Sequence, residues 1–580
     1  MKSSKDTQAK NTAMRSDKLI PSTAKPTWLY ESLSASQRVA HPVQVLWAYP
    51  APESVSFSAL GYLLLYKTLD TCPYSEVERI AQDTVKTHTT PLRTYDWLGF
   101  SIAWELDCFT LLDMLETLGL PWRASERQAR REAGEAIPLL FAGGPVITSN
   151  PEPYALWFDA LFIGDGEELF PEVMQFTHAH AGLNQTDSPR FLRQLAQAVE
   201  GVYVPSAYTP LYDGEALRGI AHDPAVPARV HKRQTDLQAS STAIVTSPVL
   251  YPDTVFSDTF LIEVMRGCAH RCRFCLASYS VLPARGPSLD SLIEAVQTGL
   301  KHTRKLGLLG ALIADHPEFE ALCDYLLQQE DVTISSASLR ADTLKPKTVQ
   351  TFAHGKQKQL TIAVESGSAW LRRRINKHLS QEAILQAAET TYANGIKGLK
   401  LYGMVGLPDE TPEHVDELAD LMHTLHKQSP QLRLTLGCSS FVPKAATPFQ
   451  WQARLETSEL KRRMDRLHKR LKGRVEFHPS SPRWDYLQAL LSRGDRRITP
   501  LLEAMVRLGG QPGHVRQAWK ALKASGWHDT QGMAIPDPDW YVTRTYSPEE
   551  VLPWDMIFLG VEKAILYKEG LIPPALHQSQ

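Results

Sequence analysis

The stretch LIEVMRGCAHRCRFCLAS, residues 261–278, runs a strand-like apolar segment straight into three cysteines, Cys268, Cys272 and Cys275. The spacing is C-x3-C-x2-C, and it takes three of the seven cysteines in a chain of 580 residues. The alternation continues downstream. Strand-like runs recur at 307–314, 332–338, 360–366, 399–405 and 432–442, separated by helical stretches such as LDSLIEAVQTGLKH and SQEAILQAAETTYA. Short apolar runs interleaved with helical periodicity mark βα units. Right-handed crossovers wrap six such units into a partial (β/α)6 barrel, open on one side. The cysteine loop follows the first strand, at the carboxyl end where barrels place their chemistry.

Residues 43–173 alternate in the same way. VQVLWAYP (43–50), WLGFSIAW (97–104), LLFAGG (139–144) and ALFIGDGEE (160–168) read as strands, with SALGYLLLYKTL (58–69) and CFTLLDMLETLG (108–119) as helices. This predicts a Rossmann-like α/β domain with a parallel sheet covered on both faces. Gly143, Gly144, Gly164 and Gly166 fall just past strand ends, where open α/β sheets bind ligands and glycine lets one approach the backbone. Plain turns use glycine there too.

The expected organisation is a tail at 1–40, an α/β domain at 41–200, a connector at 201–255, a barrel core at 256–480 and a mostly helical C-terminal region at 481–580. The tail is rich in Lys, Ser and Thr and lacks an apolar segment, so disorder is expected there rather than a signal peptide. Hydrophobic residues make up 43%, charged residues 22%, and the formal net charge is −2. Composition therefore describes a globular protein with no overall pull toward nucleic acid or membrane. Apolar runs such as 60–66 and 306–314 fall far short of the roughly 20 residues a bilayer span requires. The odd, thin scatter of cysteines speaks against a disulfide framework and for a reducing, cytoplasmic compartment.

Three clustered thiols need a chemistry. A structural zinc site wants four ligands, usually from two paired knuckles, and the chain has no second C-x2-C. His270 sits between the cysteines, but so short a loop struggles to wrap four ligands tetrahedrally. An iron–sulfur cube fits best. Three thiolates hold three irons and leave the fourth open to a ligand.

With Phe274 ahead of the third cysteine, the segment resembles the radical S-adenosylmethionine (SAM) enzymes. LTIAVESGSAWLRRRINK (360–377), LKLYGMVGLPDET (399–411) and SSFVPKAATPFQW (439–451) resemble later strand motifs of that superfamily. They are most similar to members with an N-terminal cobalamin-binding-like domain. FAGGPVITSNPEP (141–153), FIGDGEE (162–168), LLSRGDRR (490–497) and LPWDMIFLGVEKAILYKE in the tail resemble the same subfamily.

The resemblance implies a 4Fe–4S cluster on Cys268, Cys272 and Cys275 whose open iron is chelated by SAM. Reduction then cleaves the sulfonium bond and releases a 5′-deoxyadenosyl radical. It also implies an electron donor such as flavodoxin or ferredoxin, and a substrate the sequence does not specify. Phe274 and the strand-end residues Glu365, Ser366 and Gly367 are implied to lie at the cofactor, the last three at its ribose or methionine part. A helix N-cap is the other reading of that turn. Ser338 and Arg340 end the third strand and are implied to lie at the cofactor, where the arginine suits a carboxylate bidentately; a plain ion pair is the other reading. Val442, with Pro443 and Lys444, resembles the adenine-side segment. Many members carry Gly-Gly-Glu after the second strand. This chain has Leu309-Gly310-Ala311 and then Asp315-His316, which leaves Asp315 to replace the amine contact.

Three readings compete. Cobalamin-assisted methyl or group transfer suits the N-terminal domain, with the four glycines on the cobalamin side, but D-x-H-x-x-G is absent and residues 50–61 hold no histidine. A methylthiotransferase acting on RNA or protein needs three more N-terminal cysteines, and only Cys72 and Cys108 are there. The basic stretch LKRRMDRLHKRLKGR (460–474) suits phosphates. Its stripe of Leu460, Met464, Leu467 and Leu471 instead predicts an amphipathic helix with a solvated charged face, so nucleic acid is not favoured. A non-catalytic electron-transfer module would saturate its cluster with four protein ligands. Cys323 reads as core, and Cys438 as either core or pocket-lining.

Overall fold

Runs rich in β-branched and aromatic residues, buried on both faces, pair as parallel strands. The computed structural model describes residues 25–237, 244–529 and 531–571 and contains two such systems. The N-terminal sheet has the order Ser75–Ala81, Val43–Tyr49, Trp97–Ser101, Leu139–Gly143, Ala160–Phe162, Val202–Tyr203, parallel except for the last strand. Trp47, Trp97 and Phe141 on its central strands are fully buried. The edge strand Ser75–Ala81 has no apolar run to announce it, because Glu76 is exposed and Glu78 half-exposed along it. Strand order reverses between Val43–Tyr49 and Trp97–Ser101, and a doubly wound sheet opens its ligand crevice at that point.

The second system is the expected partial barrel. Phe260–Met265, Lys305–Gly310 and Thr333–Ser336 form one parallel sheet, and Gln359–Glu365, Gly398–Val405, Arg433–Ser440 and Glu476–Pro479 form another. A single parallel bridge, Leu339 with Ile362, joins them. The first six strands are those read from the sequence, and Glu476–Pro479 adds a seventh. Alternate side chains point to opposite faces of a strand. Ile262, Leu308, Ile334, Ile362, Leu401 and Leu436 pack outward into one core with the helices, so their neighbours face the barrel interior.

Of the expected disordered tail, residues 1–24 lie outside the described residues. The rest is structured, because Trp28 packs against Phe57 and Tyr66 while Thr27–Trp28 pairs with Val249–Leu250. The C-terminal helices do not form a body of their own. Leu487, Leu490, Leu501 and Met505 share a core with Trp47 and Trp97. Asn150 donates to the Gly494 carbonyl at 2.9 Å and Arg496 pairs with Glu152 at 2.8 Å. The 148–153 and 490–497 motifs thus meet as a buttress. No helix among the described residues is long and apolar enough to cross a membrane.

Candidate functional site

The loop after the first barrel strand turns sharply at Gly267, whose φ of 79° and whose neighbour, the Val281 carbonyl 2.6 Å from any added Cβ, leave room for glycine alone. Cys272 is buried, and Cys268 and Cys275 are half-buried. The other four cysteines are packed away. Cys72 and Cys108 lie in the N-terminal core, and Cys323 and Cys438 in the barrel's helix-facing core. The alternation of the sixth strand settles Cys438: it faces the helical shell, away from the loop.

A segment a hundred residues downstream clamps the cysteine loop. Asn376 donates through Nδ2 to the carbonyls of His270 (3.0 Å) and Arg271 (2.9 Å), and the Arg273 amide donates to the Ile375 carbonyl at 3.0 Å. The Cys272 thiol reaches the Asn376 carbonyl at 3.7 Å. Arg271, Glu365, Asn376 and His378 all take left-handed backbone angles, with φ of 52°, 64°, 58° and 46°. Such conformations cost of order 1 kcal/mol or more each and gather at functional sites. Glu569 also holds the loop, pairing with Arg271 at 3.0 Å and accepting from the Tyr279 hydroxyl at 2.9 Å. The Gly570 carbonyl accepts from Arg374 at 2.9 Å.

Charge is arranged around Cys272. Lys377 and Glu365, each 7% exposed, form an ion pair of 3.1 Å. Burial alone would push the Lys377 ammonium down, but Glu365 and Cys272 outweigh it and hold it above its ordinary range. Burial pushes the Cys272 thiol up to about 12, and Lys377 pulls against that. Burial likewise raises Cys275. Thiolate ligands of a metal are deprotonated by the metal itself.

Among the described residues no three thiol, imidazole or carboxylate side chains already converge as a metal centre. The donor set still fits an iron–sulfur cube. Three thiols on one clamped turn affect one another's ionisation, a buried cation faces them, and Cys268 opens into a cavity of about 860 Å³.

The other sequence candidates divide. Asp315 lines that cavity and binds His270, whose Nε2 lies 2.6 Å from its carboxylate. Phe274 packs against a cluster of Leu371, Ile375, Leu407, Phe441 and Phe449, which Met404 also joins. Ser366 accepts the Ser368 amide at 3.1 Å, and Gly367 lets the helix Pro412–Gln428 approach, since an added Cβ would sit 2.1 Å from the Glu417 carbonyl. Arg340 is taken by Asp342 in a bidentate pair (2.9 and 2.8 Å) and also donates to the Lys377 carbonyl at 3.1 Å. Ser338 precedes the bridge to the fourth strand. Val442 packs into the N-terminal core, and Lys444 pairs there with Glu105.

At the N-terminal sheet, Gly143, Gly144, Gly164 and Gly166 line a cavity of about 440 Å³ at the strand-order reversal, which reaches Glu263 and Arg266 of the barrel. Two of these glycines admit the protein's own backbone. An added Cβ would lie 2.4 Å from the Ile102 carbonyl at Gly144 and 2.1 Å from that of Arg233 at Gly164. Asp165 and Glu167 pair with Arg266 (3.3 and 2.7 Å), and Arg285 also holds Asp165. These pairs tie the sheet edge to the cysteine loop. The basic helix Thr457–Leu471 buries Leu460, Met464, Leu467 and Leu471, and Arg466 and Arg470 are neutralised by Asp416 and Asp420.

A family model described as the radical SAM superfamily matches residues 262–422, and one for the N-terminal part of radical SAM proteins matches residues 68–205. Between them they span more than half of the chain. The chain belongs to the radical SAM superfamily. As a radical SAM protein it belongs with enzymes that use a 4Fe–4S cluster and SAM. An uncharacterized protein of Methanocaldococcus jannaschii is 28% identical over 424 residues, covering 71% of this chain and 81% of the relative. A tRNA-2-methylthio-N(6)-dimethylallyladenosine synthase of Chlorobium phaeobacteroides is 31% identical over 91 residues, 15% of this chain and 20% of that protein. Among solved structures, the cobalamin-dependent SAM radical enzyme OxsB aligns with a TM-score of 0.48 at 13% identity, covering 83% of this chain and 71% of that one.

Proposed function

We propose that this radical SAM protein cleaves SAM reductively to start a hydrogen abstraction on a polar substrate held in the barrel. The observation that carries the reading is the all-thiol turn of Cys268, Cys272 and Cys275, clamped by Asn376 and faced by the buried Lys377. Those three cysteines would hold the cluster. When bound, cluster and SAM supply the electron and the 5′-deoxyadenosyl radical. The chain's part is to fix and shield them. Asn376 and Glu569 hold the loop, Phe274 and its apolar neighbours floor it, and the Lys377 ammonium offsets thiolate charge. Asp315, paired with His270 in the cavity beside Cys268, would meet the SAM amine. The reductant is a flavodoxin- or ferredoxin-type donor, in the reducing cytoplasm where free thiols persist.

Anaerobic reconstitution, dithionite and SAM, with 5′-deoxyadenosine quantified by mass spectrometry, test this. Product from the wild type and none from Cys272→Ala supports it. No product from a fully loaded wild type moves the weight to an electron-transfer role.

A second reading, cobalamin-assisted group transfer, is favoured by the cavity at the sheet's reversal point, walled by Tyr49, Leu65 and Phe170 and open toward the barrel. Among the described residues no histidine lines it. Titration with hydroxocobalamin, followed by its visible spectrum, decides that reading. The neutralised basic helix and the packed Cys72 and Cys108 weigh against an RNA- or protein-directed methylthiotransferase.

A further inference from the structure

The barrel's inner wall carries an exposed phenol ring. Tyr402 lies in the middle of the fifth strand, Gly398–Val405, hydrogen-bonded to a strand on each side, yet it is 41% exposed. Its neighbours Leu401 and Leu399 are in the helix-facing core, so Lys400, Tyr402 and Met404 face inward. The flanking strands keep this wall low. Tyr402 sits in register with Ala363 and Gly437, and Lys400 with Thr361 and Thr435. Gly437 is the space into which the pair leans, since an added Cβ would meet the Tyr402 ring at 3.1 Å and the Lys400 side chain at 3.4 Å.

Lys400 is the second feature. Its ammonium lies 4.7 Å from the Tyr402 ring centroid and 3.3 Å from the phenol oxygen. The inward-facing carboxylates Glu263, Glu365 and Glu476 are each engaged, by Arg266, Lys377 and His478. Among the described residues no carboxylate lies within ion-pair reach of Lys400. A cation held over a ring and left without a counter-ion inside a hydroxyl-lined barrel is a recognition element.

We propose that Lys400 and Tyr402 are the substrate-recognition subsite, for a molecule with a flat unsaturated ring and an anionic group, carboxylate or phosphate. The ring stacks on Tyr402 and the anion takes the Lys400 ammonium. The strand sets the substrate's direction. Met404 packs against the same apolar cluster that Phe274 of the cysteine loop joins. Tyr402 is one pleat repeat below it and Lys400 two, at roughly 6.6 Å per repeat. The anionic end therefore points down the barrel and the reactive end up toward the loop. This subsite rests on the barrel being the catalytic domain.

The test reads binding without turnover. Equilibrium dialysis of the anaerobically reconstituted full chain with phenyl phosphate and benzoate is compared with inorganic phosphate and phenol. At least one of the first two binds saturably, and tighter than either single-feature probe. Which of them binds better distinguishes phosphate from carboxylate. Lys400→Met and Tyr402→Leu each weaken that binding about ten- to a hundredfold with iron content unchanged, and Lys400→Arg retains it. No saturable binding of either ring-bearing anion, or equal binding by wild type and both variants, overturns the proposal. Equal affinity for inorganic phosphate overturns the ring half of it. Failure to form 5′-deoxyadenosine would count against the proposed function and leave this binding result standing on its own.

Discussion

Replacing Lys377 by methionine leaves the Glu365 carboxylate buried without its 3.1 Å partner and removes the cation that faces Cys272. Both members of the pair are almost fully buried, so solvent screens little of the loss. Breaking a buried pair from one side costs about 3–5 kcal/mol, because the remaining charge is uncompensated. The cost falls on the clamp, since Lys377 adjoins Asn376, which holds the His270 and Arg271 carbonyls. At about 1.4 kcal/mol per power of ten, local opening should become roughly a hundred to a few thousand times more frequent. Hydrogen–deuterium exchange of the apo protein reads this at the Arg273 amide, bonded to the Ile375 carbonyl. Lys377→Met/Glu365→Gln, with neither charge left, should recover most of the protection. Acceleration below tenfold in the single variant, or no recovery in the double, would refute the claim that the pair holds the loop closed.

Three further outcomes are expected. Cys272→Ala keeps the far-ultraviolet circular dichroism of the wild type but retains little iron or acid-labile sulfide after reconstitution; full loading would remove the cysteine from the ligand set. Gly367→Ala forces the 412–428 helix away from the strand end and should cost about 3 kcal/mol, the upper end for overpacking; an unchanged urea midpoint would show that the helix yields freely. Asp107 is raised to about 6 by burial, against the opposing pull of the Trp104 and Ala103 amides. A carboxyl raised in the folded state contributes stability below the unfolded value near 3.8 and loses it as pH climbs through about 6, an effect of about 3 kcal/mol. Asp107→Asn should therefore flatten the urea midpoint's dependence on pH between 4 and 7 and raise it at pH 7, and a midpoint at pH 7 that falls would contradict the sign.

The parts legible in the sequence were those written in contiguous residues. The six inner strands announce themselves as apolar runs because their outward faces, such as Ile262 and Leu401, are buried under helices. The cysteine triad sits within eight residues and needs no partner to be seen. Strands Ser75–Ala81 and Glu476–Pro479 were illegible because glutamates interrupt them, as suits a sheet edge. The resemblance brought Glu365 forward, but not the reason it is fixed: its partner Lys377 lies across the 366–376 turn, and the Asn376 clamp reaches back over a hundred residues. Arg340 carried both readings, and the fold shows it paired with Asp342, two residues on. The basic helix looked available to phosphates until the fold brought Asp416 and Asp420 alongside it.

The grip of Glu569 on the cysteine loop, and of Gly570 on Arg374 beside the clamp, has a consequence for biosynthesis. A chain emerging from the ribosome completes the barrel strands long before these residues appear, and domains fold as they emerge. During that interval Arg271, Tyr279 and Arg374 lack their C-terminal partners, and the loop is at its most open. Docking of the helix Lys563–Leu571 is therefore the step that closes the loop, and any group the three cysteines take up would enter most readily before it.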